Sequence, residues 1–154
     1  MLGFLRLLPM TLVVVILYNL SVFFGVAFGG DGFKDATTGA PDMVKLLAGR
    51  LFDIPLASGA PWHFTVGAMF VTLGLFALFV ELLRSTRTDS LSIANHALSV
   101  MVFILCLLEF VVVKGFNTSE FFYLTVMSAI DVIAGFTITI IGSRRDFGGH
   151  GLAV

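Results

Sequence analysis

Four stretches of the chain are almost continuously apolar, and each is about 20 residues long, the length that a helix needs to cross a bilayer. They cover residues 7–28, 64–83, 93–113 and 121–141. Backbone groups in lipid must be hydrogen-bonded within the segment, and the alternation typical of barrel strands is missing, so each stretch is predicted to be a helix. The pattern predicts an all-α polytopic membrane protein: an antiparallel bundle of four transmembrane helices in one membrane domain over residues 1–154.

The first apolar stretch is too long for the hydrophobic region of a signal peptide and lacks a small-x-small cleavage site. We therefore expect it to be retained as a helix. Arginines flank the spans on one predicted side, which the preference of cytoplasmic loops for Lys and Arg assigns to the cytoplasm. They are Arg6, Arg84, Arg87, Arg144 and Arg145. Both termini are accordingly predicted to be cytoplasmic.

The loop over residues 29–63 is long, lies on the predicted outer side and begins with an irregular stretch rich in Gly and Thr. From Pro41 onward, Val44, Leu47 and Leu51 follow helical spacing. This spacing predicts a short interfacial helix on the outer leaflet; a loop packed over the bundle is the alternative. Trp62 is expected to be an interfacial anchor.

Composition agrees with a membrane protein, since 58% of the 154 residues are hydrophobic and only 12% are charged. An ordinary soluble domain has about 25% charged residues. The formal net charge of −1 gives no basic surface for nucleic acid. The single cysteine, Cys106, cannot form an internal disulfide. These values exclude a soluble enzyme, a disulfide scaffold and a nucleic-acid-binding module.

Each span carries its small and polar residues on one face. In the third span that face holds Asn95, Ser99, Val102, Cys106, Glu109 and Val113; in the fourth it holds Thr125, Ser128, Asp131, Gly135, Thr139 and Gly142. Small residues let helices approach closely, so we expect helix packing at Gly25, Gly29, Gly67, Gly74 and Gly135. These faces are predicted to pack against one another inside the bundle.

Charged groups near the centre of a bilayer are costly and usually face the bundle interior. Glu109 and Asp131 are the two such groups, offset by roughly 10 Å in depth. Asp131 has no intramembrane Lys or Arg nearby in the sequence. One expectation is that Asp131 is neutral and joins helices through a hydrogen bond to Asn19, Tyr18 or a serine. The other is that it is ionisable and lies on the route of a proton or cation.

Glu81 lies three residues before Arg84, near the predicted cytoplasmic end of the second span. We expect these two side chains to pair, with Glu81 as a solvated interfacial carboxylate. At the opposite end, His63 is expected at the level of Glu109 and within reach of it.

No arrangement of catalytic or metal-binding residues is found in the sequence. His63 and His96 fall at opposite membrane edges, so they cannot form a bis-histidine haem site. We find neither a Ser-His-Asp constellation nor a phosphate-binding loop. The sequence predicts no enzyme, no cofactor and no metal.

The segments HALSVMVFILCLLEFVVVKGF, FFYLTVMSAIDVIAGFTITI and RRDFG, with the preceding ELLRSTRTDS, resemble a family of small uncharacterised four-span proteobacterial inner-membrane proteins. The resemblance covers roughly residues 55–148. It implies a bacterial inner-membrane location, and the family has no established activity to carry over. The charged positions shared with the family would be Glu81, Arg84, Arg87, His96, Glu109, Asp131, Arg144, Arg145 and Asp146.

Two functions are compatible with these features. The first is a non-catalytic accessory or assembly subunit that packs against a membrane-protein partner or a second copy of itself. The second is a proton or small-cation pathway through His63, Glu109, Asn19, Asp131 and Glu81. A groove for lipid, quinone or pigment, and an enzyme acting on lipid, have less support in the residues.

Overall fold

The computed structural model describes residues 8–28, 34–35, 41–85 and 90–148. The described chain is mostly helical, as expected. Its elements are α1 (Met10–Phe28), α2 (Met43–Leu47), β1 (Arg50–Pro55), β2 (Pro61–Thr65), α3 (Val66–Ser85), α4 (Ser90–Val112) and α5 (Ser119–Gly148). Arg6, Gly29, Arg87 and most of the irregular stretch after the first span lie outside the described residues, so the expectations for them stay predictions.

Three helices contain stretches that are long and apolar enough to cross a membrane: Val66–Arg84, Ala94–Val112 and Ser119–Ile138. The corresponding stretch of α1, Met10–Gly25, is shorter. Large apolar side chains point outward from all four of these helices, which is the arrangement expected when the solvent is lipid. The helices are therefore those of a membrane protein. Helix α5 continues to Gly148, beyond the predicted end of the fourth span at residue 141.

Side-chain caps fix where several helices begin. Thr65, the last residue of β2, accepts a hydrogen bond from the backbone N–H of Ala68 at 3.1 Å, and α3 starts at the next position. Thr118 caps α5 in the same way through Phe121 at 3.2 Å. Such caps satisfy N–H groups that have no partner within their own helix.

Helix α5 packs along both α3 and α4, and α1 packs mainly against α3. Two glycines of α3 allow the close approach to α5. A Cβ atom at Gly74 would lie 2.5 Å from Leu124 and 2.8 Å from Met127, and one at Gly67 would lie 2.8 Å from Glu120. These glycines lie where small residues were expected to bring helices together.

The outer loop contains a β-hairpin that the sequence analysis missed. Strands β1 and β2 pair antiparallel, from Arg50 opposite Thr65 to Pro55 opposite Pro61. The predicted helix ends at Leu47 because the chain turns at Ala48 and Gly49, where a Cβ would lie 2.9 Å from the carbonyl oxygen of Leu46. Leu51, assigned to the helix by its spacing, lies in β1 and is exposed. The all-α description needs this correction.

Tyr18 of α1 is the centre of the apolar core. Its ring is fully buried and contacts Phe70, Phe116 and Phe121, with centroids 5.1, 5.7 and 4.8 Å away. Its hydroxyl forms a 2.7 Å hydrogen bond with Thr118. The bond gives the polar end of a buried tyrosine a partner and joins α1 to the start of α5.

Candidate functional site

Glu81 is a buried acid near the end of α3, with a side chain only 1% exposed. One carboxylate oxygen, Oε2, accepts a hydrogen bond from the backbone N–H of Met10 at 2.9 Å and lies 3.6 Å from Arg84. The other, Oε1, accepts a hydrogen bond from the side-chain amide of Asn95. The expected pair with Arg84 is present, but the expectation of a solvated carboxylate was wrong because the start of α1 packs over it.

Asp131 of α5 is also buried, with 3% of its side chain exposed. The hydroxyl of Ser99 faces it, and the charges of Glu81 and His96 act on it. Of the three partners expected for Asp131, a serine is therefore the one nearby. Tyr18 bonds to Thr118, and Asn19 donates to Glu109 and to the carbonyl of Val15.

Five buried polar atoms have no hydrogen-bond partner among the described residues, and they share one end of the bundle. They are Thr11 Oγ1, Asn95 Oδ1, His96 Nε2, Ser99 Oγ and Asp131 Oδ2. Buried polar atoms are nearly always hydrogen-bonded in native proteins, so this concentration is unusual. We call the group the Glu81–Asp131 cluster: Thr11 of α1, Glu81 and Arg84 of α3, Asn95, His96 and Ser99 of α4, and Asp131 of α5.

The imidazole of His96 lies directly on Gly135 of α5. A Cβ atom at position 135 would overlap the ring, so only glycine leaves space for it. Phe136 contacts the same ring edge to face, with centroids 5.4 Å apart. His96 thereby enters the cluster, although helical spacing had set it apart from the polar face of its span.

A second polar contact lies toward the other end of α4. Asn19 donates a 3.2 Å hydrogen bond to Glu109, and both side chains are half-buried. One turn away, the buried Cys106 contacts the hydroxyl of Ser128, which donates to the carbonyl of Thr125 at 2.7 Å. Polar side chains thus continue along one face of α4, and we call this group the polar seam: Asn95, Ser99, Cys106 and Glu109 of α4 with Ser128 and Asp131 of α5.

His63 is separate from this seam. It lies on β2, and its Nδ1 is 2.5 Å from the carboxylate of Asp53 on β1. The pair is well exposed. The expectation that His63 reaches Glu109 was wrong, because the undetected hairpin places it opposite Asp53.

Elsewhere in the described part of the chain, fewer reactive or charged side chains are brought together. A cavity of about 410 Å³ lies between the 110–118 segment and residues around Pro41. No group of three or more His, Cys, Asp or Glu side chains that could hold a metal ion occurs in the described ranges.

The sequence singled out Glu81, Glu109, Asp131 and Asn19. The structure pairs Asn19 with Glu109 and places Glu81 and Asp131 in the separate Glu81–Asp131 cluster. The sequence analysis missed Thr11 and His96. Both residues lie near the start of a helix: Thr11 in the first turn of α1, and His96 beside Asn95 near the start of α4. Their closeness to helix starts was the signal in the sequence that could have identified them. No protein-family model, curated protein or solved structure matches the chain.

Proposed function

We propose that α1, α3, α4 and α5 all span a bacterial inner membrane as an antiparallel bundle, with both termini in the cytoplasm. The contacts of Glu81 support this arrangement, since they bring the start of α1, the end of α3 and the start of α4 together. Arg84 lies at that end, and Arg144 and Arg145 lie in the last turns of α5. Basic residues at one end agree with the preference for Lys and Arg on the cytoplasmic side.

Cysteine labelling tests the orientation. In a chain with Cys106 replaced by Ala, a membrane-impermeant maleimide should label Ser58→Cys, in the hairpin turn, in intact spheroplasts. It should label Thr88→Cys, in the link before α4, only after lysis. The opposite pattern would contradict the proposed orientation.

Within that membrane, the proposed role is that of a non-catalytic accessory subunit, and the exposed face of α4 carries this proposal. Only 17% of the apolar stretch of α4 is buried, against 33% and 39% in α3 and α5. Apart from Leu107, its exposed large apolar side chains recur at helical spacing: Met101, Ile104, Leu105, Leu108, Val111 and Val112. A continuous apolar face of this kind fits a helix of another membrane protein or of a second copy.

Photo-crosslinking tests the accessory role. A photoreactive residue in place of Met101 on α4 should give one discrete protein adduct in native membranes. The same residue in place of Phe76 on α3 is the matched control, because both side chains are 66% exposed. Adducts with lipid alone at both positions would contradict the proposal.

A proton or small-cation pathway is the second candidate, and the polar seam favours it. The seam carries two carboxylates at different depths, with hydroxyl, thiol and amide groups between them. Intramembrane carboxylates of this kind mark ion and proton routes in other membrane proteins. His63 has no part in this version of the pathway.

Flux measurements test the pathway. Liposomes containing the purified protein and a pH-sensitive dye should acidify faster than empty liposomes when a proton gradient is applied. Asp131→Asn and Glu109→Gln should each reduce that rate. A rate that neither substitution changes would reject the pathway.

A further inference from the structure

We propose that the Glu81–Asp131 cluster binds one small monovalent cation, Na⁺, with the carboxylate of Asp131 as its charged ligand. The hydroxyl of Ser99 and the amide oxygen of Asn95 are its neutral ligands. This site goes beyond the accessory role. It specifies the ion of the second candidate function, the cation pathway, although Na⁺ can bind at the site without being transported.

Among the carboxylates of the cluster, Glu81 has an ion-pair partner and Asp131 has none within the described residues; His96 acts on Asp131 without forming an ion pair. Glu81 is ion-paired with Arg84 and accepts hydrogen bonds from Met10 and Asn95. Asp131 is equally buried, yet Oδ2 has no donor among the described residues. A buried carboxylate without an ion-pair partner is strongly unfavourable, and a cation beside Asp131 would stabilise it.

The unpartnered atoms identify the kind of cation. Four of the five are oxygens, and Asn95 Oδ1 and an ionised Asp131 can only accept. The amide of Asn95 is oriented by Glu81, because its nitrogen must be the atom that donates to that carboxylate. Hard cations prefer carboxylate, carbonyl and hydroxyl oxygens.

Helix positions place these residues near one another: His96 contacts Gly135, one turn from Asp131, and Asn95 and Ser99 lie within one turn of His96. Ser99 faces Asp131 directly, and Asn95 lies one turn away on the same face of α4. Thr11 adds a further unpartnered hydroxyl beside Met10, whose N–H binds Glu81. Ser99, Thr11 and Asp131 are each more than nine-tenths buried, so their exposure to water does not account for the missing partners.

A single carboxylate without an ion-pair partner favours one positive charge over two. A divalent cation would leave one positive charge in excess among Glu81, Arg84 and Asp131. A proton on Asp131 would neutralise the charge, but it would supply a donor to one acceptor only. The titratable or charged groups facing the site are Glu81 and Arg84 from α3 and His96 from α4; from α1 it is faced by the N–H of Met10 and the hydroxyl of Thr11.

Thermal unfolding of the purified full-length protein in detergent tests the site. NaCl is titrated against choline chloride at constant ionic strength, at pH 6.0, 7.5 and 9.0. Because a ligand that binds only the folded state stabilises it, Na⁺ should raise Tm with the logarithm of its concentration above Kd, by about 5–10 °C at about 100 times Kd. A Tm that follows pH but is indifferent to Na⁺ would identify a proton as the occupant and overturn the proposal.

Substitutions locate the site. Asp131→Asn and Ser99→Ala should abolish the response to Na⁺, whereas Glu109→Gln and Ser128→Ala, matched changes elsewhere in the seam, should keep it. If Asp131→Asn does not fold, equilibrium binding of radiolabelled Na⁺ to Ser99→Ala, with Ser128→Ala as the control, decides the question. Full Na⁺ binding by Ser99→Ala would overturn the assignment, while Na⁺ binding without any flux would reject only the pathway.

Discussion

The carboxylate of Glu81 accepts a hydrogen bond from the backbone N–H of Met10, 71 positions earlier in the chain, at 2.9 Å. Pro9 precedes this first N–H of α1, so the turn before it supplies no side-chain cap. An acid from another helix therefore does what Thr65 and Thr118 do locally for α3 and α5. The negative charge also suits the positive end of the helix dipole.

Glu81→Ala should lower the free energy of unfolding by about 1–3 kcal/mol, the cost of leaving buried donors without an acceptor. Glu81→Gln keeps an oxygen for Met10 and should lower it less. Unfolding in mixed micelles with increasing SDS measures both. An alanine variant as stable as the wild type would show that this contact does not hold α1.

Gly135→Ala should destabilise the protein by about 1–3 kcal/mol because the new methyl group overlaps the ring of His96. A double-mutant cycle isolates the cause. In a His96→Ala background the ring is absent, and Gly135→Ala should then have almost no effect. An equal cost in both backgrounds would assign the need for glycine to another neighbour.

Tyr18→Phe should cost about 1 kcal/mol, because only the hydrogen bond to Thr118 is lost and Thr118 still caps α5. Tyr18→Ala should cost about 3–5 kcal/mol, since a fully buried ring leaves a cavity among three phenylalanines. SDS-induced unfolding distinguishes the two variants. Equal losses would mean that ring packing is not the main contribution.

His63→Ala should change stability by less than about 1 kcal/mol, because its pair with Asp53 is exposed. Proton flux in liposomes, if present, should be unaffected, in contrast to the effect of Glu109→Gln. A His63→Ala variant with reduced flux would return this histidine to the pathway. The two variants are compared in the same liposome preparation.

The buried face of α4 was predictable from helical spacing, because a polar residue in an apolar helix is tolerated only where other helices cover it. Ser99, Val102 and Cys106 are indeed buried, and so are Ser128 and Asp131 on the facing helix. The burial of Glu81 was not predictable, because it depends on α1 arriving from a distant part of the chain. The hairpin was missed because Leu47 and Leu51 fit helical spacing while Gly49 interrupts the helix between them.

Helix α5 is translated after α1, α3 and α4, yet it supplies Asp131 and packs along both α3 and α4. During synthesis, Glu81 can meet Met10 and Asn95 before α5 emerges from the ribosome. The nascent protein therefore acquires its second buried acid only when α5 joins. Biogenesis should pass through an intermediate that lacks the complete cluster, in which Ser99 and His96 are not yet covered by α5.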